Sequence, residues 1–199
     1  MNEAPSSISL HVPGLAPRPG PPPLDLEPFQ VPHPSPFLCD IEVQPAQMSR
    51  AIDHVSNIEY VRWLDRAAEL HADVLGYTRS SMLDRNLMWF VARHEIDYLA
   101  EVWPDDRLML ATWVRDMGRV KSWRDYVVLR PDESDQGAAP VCRAATLWVL
   151  VDLKKRKPAR IPADMVERFR PLHGEPRRPG SPGRPGRQQD PVNHPGPGR

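Results

Sequence analysis

Three side chains with catalytic potential lie together in the segment IDHVSNIEYVRWLDRA at residues 52–67. Asp53, His54 and Asn57 stand directly before a run of apolar residues at helical spacing. A helix start offers free backbone N–H groups and the positive end of the helix dipole, which can hold a carbonyl oxygen while negative charge develops on it. An acid or an imidazole beside that position can orient or deprotonate water. The segment is therefore suited to hydrolytic chemistry at a carbonyl group.

The same three side chains also have a structural interpretation. Asp and Asn are common at helix starts, so Asp53 and Asn57 could simply cap the helix. His54 could steer the loop through a hydrogen bond. Residue type and spacing do not separate these roles from catalysis, and both interpretations stay open.

The helix that follows is the best-supported element in the sequence. Ser56 and Glu59 have the spacing of a capping box, and Gly76 is a typical residue at a helix end. One broad apolar face recurs at helical spacing. It contains Tyr60, Trp63, Leu64, Ala67, Leu70, Val74 and Leu75. Such a face predicts a long, largely buried helix.

Five runs with strand character accompany this helix, one before it and four after it. Short links containing Gly, Pro and Asp join the last four runs, which favours antiparallel neighbours. A final segment, 161–169, has Pro162 at its start and predicts a short helix. The predicted strands are 37–43, 87–99, 107–117, 122–130 and 141–153. The pattern predicts an α+β domain in which an antiparallel five-stranded sheet curls around one long central helix.

Composition defines the limits of this domain. Most of the 25 prolines lie in residues 1–36 and 171–199, whereas all six tryptophans lie between these ends. Proline-rich, weakly apolar ends cannot bury enough surface to offset the entropy of ordering. We therefore expect a disordered N-terminal extension at 1–36, a folded domain at 37–170 and a disordered tail at 171–199. Truncation to about 37–171 is expected to leave folding intact.

Charge and hydropathy bear on partners and location. The chain has 26 basic and 26 acidic residues, so its net charge gives no reason to expect nucleic acid or a membrane surface as partner. The sequence after Met1 lacks the basic start and apolar run of a signal peptide, and no apolar stretch has the length of a membrane span. These features predict a cytoplasmic protein.

Cysteine and histidine spacing gives no sign of metal chemistry. Cys39 and Cys142 lie in apolar strand-like runs, where a cysteine is more often a small buried hydrophobe than a nucleophile or half of a disulfide. His71 and His94 have no partner at metal-ligand spacing, so no metal site is predicted.

The order of elements and three motifs resemble the hot-dog fold, and within it the 4-hydroxybenzoyl-CoA thioesterase-like and acyl-ACP thioesterase-like families. The motifs are HVSNIEYVRWLDRA at 54–67, HEIDYLAEVWPDDRL at 94–108 and RIP at 160–162. The resemblance implies a thioesterase of fatty acid metabolism that cleaves acyl-CoA or acyl-ACP without a metal or redox cofactor. CoA or the carrier's phosphopantetheine enters only as part of the substrate. The resemblance also implies a homo-oligomer, dimer or tetramer, with the acyl groove between two subunits.

The sequence departs from the family pattern at the catalytic acid. The usual stretch D-x-x-G-H-V reads RAIDHV here, so Arg50 occupies the place of the acid and Asp53 that of the glycine. Asp53 becomes the predicted acid, with His54 and Asn57 beside it and with Glu101 and Glu69 as further candidates. A non-catalytic dimeric protein that binds acyl thioesters is the alternative, which Arg50 favours and Asp53 opposes. Hot-dog dehydratases and hydratases usually carry a different helix signature.

Two basic clusters are candidates for binding the thiol carrier. Arg119, Lys121 and Arg124 lie in GRVKSWR, a turn between strands from which cations could reach the phosphates of CoA. A second cluster contains Lys155, Arg156 and Lys157. Either cluster could instead be a solvated face, and an acidic carrier protein would suit the same charges.

Overall fold

The computed structural model describes residues 12–49, 52–132 and 137–173. Within them, the helices are α1 (Asn57–Val74), α2 (Arg79–Asp84) and α3 (Ala163–Phe169). Two short 3-10 helices span Glu27–Phe29 and Pro45–Gln47. The strands are β1 (Leu15–Pro17), β2 (Phe37–Glu42), β3 (Leu87–Tyr98), β4 (Arg107–Met117), β5 (Lys121–Pro131), β6 (Ala138–Asp152) and β7 (Lys157–Pro158).

These strands form one antiparallel sheet in the order β1-β2-β4-β5-β6-β3, with β7 paired to β6. The five predicted strands correspond to β2–β6, with ends that differ by at most three residues. The short strands β1 and β7 are additional. The predicted α+β fold, an antiparallel sheet curled around one long helix, is confirmed.

Alternation along β5 decides which side chains face α1. Tyr126 and Val128 pack in the core with the helix, whereas Val127 and Leu129 belong to a cluster on the outer face of the sheet. Successive strand residues point to opposite faces, so Arg124 shares the helix-facing side with Tyr126. This geometry places a charged residue beneath the central helix.

The helix α1 is held by burial of its apolar face. Trp63 is 0% exposed and Leu64 is 1% exposed, which confirms burial of most of the predicted face, but Val74, assigned to the same face, is 69% exposed near the helix end. The predicted capping box is wrong: Ser56 is the N-cap residue, but its side chain makes no capping hydrogen bond. Glu59 is buried and instead accepts a hydrogen bond from Arg62 Nη1 at 2.6 Å. A nearby guanidinium gives this buried carboxylate a stronger partner than a backbone N–H does.

The structure corrects the prediction of disorder for residues 12–36. β1 pairs with β2, and Arg18 Nε donates to Asp40 Oδ1 at 2.7 Å. Leu26 and Val31 are buried on the outer face of the sheet, where the strands offer an apolar surface that needs a cover. Proline also restricts the unfolded chain, so an irregular proline-rich segment loses less entropy on packing. Residues 1–11 lie outside the described part of the chain.

The domain also continues slightly beyond the predicted end. The predicted short helix corresponds to α3, after which the Leu172 N–H donates to Val114 O at 3.1 Å and His173 forms a bridge to Asp116. The rest of the predicted tail, 174–199, is outside the described residues. In the part of the chain that the structure describes, no helix has the length and apolar character needed to cross a membrane.

Candidate active site

Backbone contacts bring the predicted site residues to the start of α1. The Val55 N–H donates to Val102 O at 2.9 Å, which joins the loop before α1 to the loop after β3. His54 and Glu101 each adjoin one member of this pair in sequence. Asp53 and Asn57 flank the same point along the chain, so the four predicted side chains belong to one end of the helix.

This end of the helix is open in the single chain. Asp53, Asn57 and Glu101 are exposed, whereas His54 is half-buried. Nδ1 of His54 is buried without a hydrogen-bond partner among the described residues. Arg50, on which the non-catalytic alternative depends, lies outside the described residues. The structure brings the predicted residues together without enclosing them.

Exposed apolar side chains surround the same end of α1. Tyr98 packs against Tyr60 at a ring-centroid distance of 5.1 Å, so the end of β3 lies beside the helix start. The large apolar side chains exposed here are Ile52, Ile58, Tyr98, Leu99 and Trp103, each between 44% and 60% exposed. A cluster of this kind is typical of a surface that another molecule covers.

A cavity of about 150 Å³ lies along the second half of α1, away from the predicted site. Side chains of α1, α2, α3 and four strands line it. Its aromatic wall consists of Tyr77, Trp89, Trp148 and Phe169. Its polar lining consists of Asp65, Glu69, Arg79, Ser122 and Arg124. Asp65, Glu69 and Arg124 are therefore buried or half-buried at this cavity, whereas Asp53, Asn57 and Glu101 are exposed at the helix start.

Asp65 is an acid of the cavity that has no partner among the described residues. Burial raises the pKa of its carboxyl group, and the negative charge of Glu69 raises it further. Within the described residues, the Asp65 side chain has no hydrogen bond or ion pair. Burying part of a carboxylate without a partner lowers the free energy of unfolding, and such groups are enriched at functional sites.

Glu69, a further acid considered from the sequence, has a different environment. One carboxylate oxygen lies 2.7 Å from Arg66 Nη1 and the other lies 3.3 Å from Arg79 Nη2. Two cations therefore neutralise Glu69. Its lone pairs are committed to these pairs, which makes it a weaker candidate for proton transfer than Asp65.

Arg124 and His71 form a second polar pair in this region. Arg124 is 4% exposed, and its Nη1 donates to His71 Nδ1 at 3.0 Å and to Thr112 Oγ1 at 3.2 Å. Burial and the positive charge of Arg124 lower the pKa of His71 to about 2. His71 is therefore a neutral acceptor, and its ring also stacks on Phe37 with centroids 4.9 Å apart.

The position of Arg124 corrects the predicted phosphate cluster. Arg119 and Lys121 are exposed at the turn between β4 and β5, as a phosphate contact requires. Arg124 lies beneath α1 instead, because its place in the strand alternation directs it to the inner face. The second cluster, Lys155, Arg156 and Lys157, is exposed at the turn between β6 and β7.

Cys39, Cys142 and His94, which were also considered in the sequence, lie in packed or hydrogen-bonded positions. Cys39 and Cys142 are free and buried, as predicted, and burial raises the pKa of each thiol to about 12. His94 shares a hydrogen bond of 3.0 Å between its Nδ1 and Thr146 Oγ1. In the described ranges, no cluster of three or more His, Cys, Asp or Glu side chains could hold a metal ion.

Comparison with known proteins identifies the family. Residues 43–169 match the family model of the thioesterase-like superfamily. This match covers more than half of the 199 residues. The chain therefore belongs to the thioesterase-like superfamily. A comparison with curated proteins gave no match.

Solved structures of thioesterases share the fold at low sequence identity. A 4-hydroxybenzoyl-CoA thioesterase mutant in complex with 4-hydroxybenzoyl-CoA is 19% identical with a TM-score of 0.62, over 67% of this chain and 98% of that one. A 1,4-dihydroxy-2-naphthoyl-CoA thioesterase from Synechocystis is 18% identical with a TM-score of 0.60, over 69% of this chain and 98% of that one. A Lactobacillus plantarum structure assigned to an oleoyl thioesterase is 16% identical with a TM-score of 0.63. This match covers 73% of the present chain and 55% of the length of that protein.

Proposed function

We propose that the protein hydrolyses an acyl-CoA thioester to a free acid and CoA, with Asp65 as the residue that activates water. The observation that carries the proposal is an unpaired, half-buried carboxylate in the cavity of a chain from the thioesterase-like superfamily. The two solved relatives named for CoA thioesters support CoA over a carrier protein as the thiol. The exposed Arg119 and Lys121 are suited to its phosphates.

The proposed reaction needs one base and one site for the oxyanion. The Asp65 carboxylate accepts a proton from water as the water oxygen attacks the thioester carbon. Negative charge then moves to the carbonyl oxygen, which backbone N–H groups at a helix start stabilise. The C–S bond breaks as the intermediate collapses, and the CoA sulfur takes the proton. The hydroxyl group of water thus ends in the free acid and its proton ends on the CoA thiol, and no cofactor takes part.

These two groups cannot serve one thioester within a single chain. Asn57 and Asp65 are eight residues apart on α1, which corresponds to about 12 Å along the helix axis. Hydrogen bonds to a carbonyl oxygen and to its attacking water must act within about 3 Å of each partner. We therefore propose a homodimer in which the α1 start of a second copy faces the cavity of the first.

The edge of the sheet supports this arrangement. Among the described strands β3 pairs with β6 alone, and its residues Phe90 and Val91 are 49% and 39% exposed. An uncovered edge strand of this length is a natural site for pairing with another chain. β3 also supplies Trp89 to the cavity and ends beside the helix start, so pairing there would join the two halves of the proposed site.

Release of CoA thiol from acyl-CoA tests the proposal. We expect turnover by the wild type and a loss of at least 100-fold in kcat for Asp65→Asn, a typical effect of removing a general base. Asp73→Asn is the matched control because it makes the same change on the same helix outside the cavity. Asp53→Asn, His54→Ala and Glu101→Gln test the helix-start acids and imidazole in parallel.

The outcomes separate the competing assignments. Full activity in Asp65→Asn with a collapse in Asp53→Asn would move the base to the helix start. Saturable binding of acyl-CoA by the wild type without thiol release would contradict hydrolysis and favour the non-catalytic role that Arg50 suggests from the sequence.

A further inference from the structure

Arg124 is a buried cation that has no counter-charge among the residues that the structure describes. It is 4% exposed, and both of its hydrogen-bond acceptors, His71 Nδ1 and Thr112 Oγ1, are neutral groups. No carboxylate among the described residues lies within 4.0 Å of its guanidinium. A buried charge without a counter-ion is costly, so a retained one calls for an anionic partner from outside the chain.

The geometry of the guanidinium leaves donors for such a partner. Both hydrogen bonds to His71 and Thr112 come from Nη1, so they use one of the three nitrogens. Nε and Nη2 have no partner within the described part of the chain, and Arg124 lines the cavity. The planar fork of an arginine binds a carboxylate through two parallel hydrogen bonds. Phe169 covers one side of the group, with the guanidinium carbon 5.8 Å from its ring centroid.

The other charges of the cavity lie away from this position. Glu69 is paired with Arg66 and Arg79, and these three side chains form a separate cluster. Asp65 and His71 are six residues apart on α1, or about 9 Å along its axis. The cavity therefore has an acidic end at Asp65 and a cationic end at Arg124, whose Nη1 donates to His71.

We propose that Arg124 binds a carboxylate at the distal end of the acyl group, so that the substrate is the CoA monothioester of a short dicarboxylic acid. This inference rests on the proposed hydrolysis, with the thioester carbonyl near Asp65. A six-carbon diacid has five C–C bonds, which span about 6 Å. With a hydrogen bond of about 3 Å at the distal carboxylate, the span is comparable with the axial spacing of Asp65 and His71. The aromatic and apolar walls suit the methylene groups between them.

The first experiment compares two substrates on the wild type. Adipoyl-CoA and hexanoyl-CoA share six acyl carbons and differ only in the distal carboxylate. Thiol release is measured for each after subtraction of the rate without enzyme. We expect kcat/KM to be at least tenfold higher for adipoyl-CoA. Equal values, or a preference for hexanoyl-CoA, would overturn the inference and leave the proposed hydrolysis intact.

Variants of Arg124 assign the preference to this residue. Arg124→Met should reduce or reverse the preference, because it keeps the length of the side chain and removes the charge. Arg124→Lys should keep part of it. Arg168→Met, an exposed arginine outside the cavity, is the control and should keep the full preference. A full preference in Arg124→Met would overturn the inference. The wild-type comparison decides the question even where a variant does not fold.

Binding separates a failed inference from a failed function. If neither thioester is hydrolysed, calorimetric titration of the wild type with the two thioesters tests the inference alone, and the proposed function itself fails if no other acyl-CoA is hydrolysed either. Binding of adipoyl-CoA at least tenfold tighter than hexanoyl-CoA would support recognition of a distal carboxylate. Equal affinities would overturn it.

Discussion

Arg124 Nη1 donates a hydrogen bond to His71 Nδ1 over 3.0 Å, which joins the middle of the sheet to the second half of α1. The bond requires a neutral imidazole, because protonated His71 would have no lone pair on Nδ1 and would face a buried cation. The stability of the domain is therefore linked to pH through a residue that sequence analysis considered only as a metal ligand.

Stability should fall below the ordinary pKa of histidine. Burial and Arg124 lower the pKa of His71 from 6.5 to about 2, so between these values the unfolded chain binds a proton that the folded chain does not. The free energy of unfolding then decreases as pH falls, by about 2 kcal/mol between pH 6.5 and pH 5 for this one group. Urea unfolding at both pH values measures it. His71→Asn should show a smaller decrease, and an equal decrease in both proteins would contradict the assignment.

The pH dependence of turnover should report the environment of Asp65. Only the carboxylate can accept a proton from water, so kcat/KM falls as pH decreases through the pKa of Asp65. Burial and Glu69 raise that pKa, which places the acid limb above the ordinary value of 3.8. Glu69→Gln removes the negative neighbour and should shift the limb to lower pH. Glu167→Gln, an exposed change on α3, is the control. A limb that does not move in Glu69→Gln would argue against Asp65 as the base.

The edge strand β3 should control both assembly and activity. Val91→Lys introduces charge into the proposed pairing surface and should convert the proposed dimer into single chains of 22.6 kDa. Light scattering after size exclusion measures the mass, and thiol release should be lost with the dimer because the proposed site needs both copies. Leu83→Glu is the matched control, since Leu83 is 50% exposed on α2. Single chains with full turnover would refute a shared site.

Removal of residues 12–36 should destabilise the domain, contrary to the expectation from composition. Leu26 and Val31 are nearly fully buried, and each contributes about 1.5–3 kcal/mol by burial of its side chain. Their loss is a large part of the 5–15 kcal/mol that stabilises a typical domain. We expect a 37–173 fragment to unfold at much lower urea than a 12–173 fragment. Equal midpoints would show that the cover is dispensable.

Periodicity explains why the framework was predictable. The alternation in β2–β6 and the helical spacing in α1 are repeated signals, and each residue of a regular element adds to them. Residues 12–36 carry no period, because three-residue strands and 3-10 turns are too short to produce one. Their burial depends on an apolar sheet face contributed by distant strands, which composition alone does not reveal.

The candidate site was predicted less well because its key residues look ordinary in sequence. The strand SWRDYVVLR alternates, so the inner position of Arg124 followed from its spacing to Tyr126, yet the turn context suggested an exposed cation. Asp65 lies one turn from Glu69 on a helix that has many charges. Asp65 has no partner among the described residues because the nearby Arg66 and Arg79 both bind Glu69. Tertiary contacts determine this pairing, so the sequence does not reveal it.

The segment 12–36 also limits how the sheet can grow. An antiparallel sheet has two faces, and here α1 occupies one while Leu26, Val31 and their neighbours occupy the other. Strand β1 closes one edge with only three residues. Copies of the domain thus cannot stack face to face on the region that this segment covers. The N-terminal segment therefore keeps the outer face of the sheet from serving as a contact between copies, and the proposed dimer uses the edge strand β3 instead.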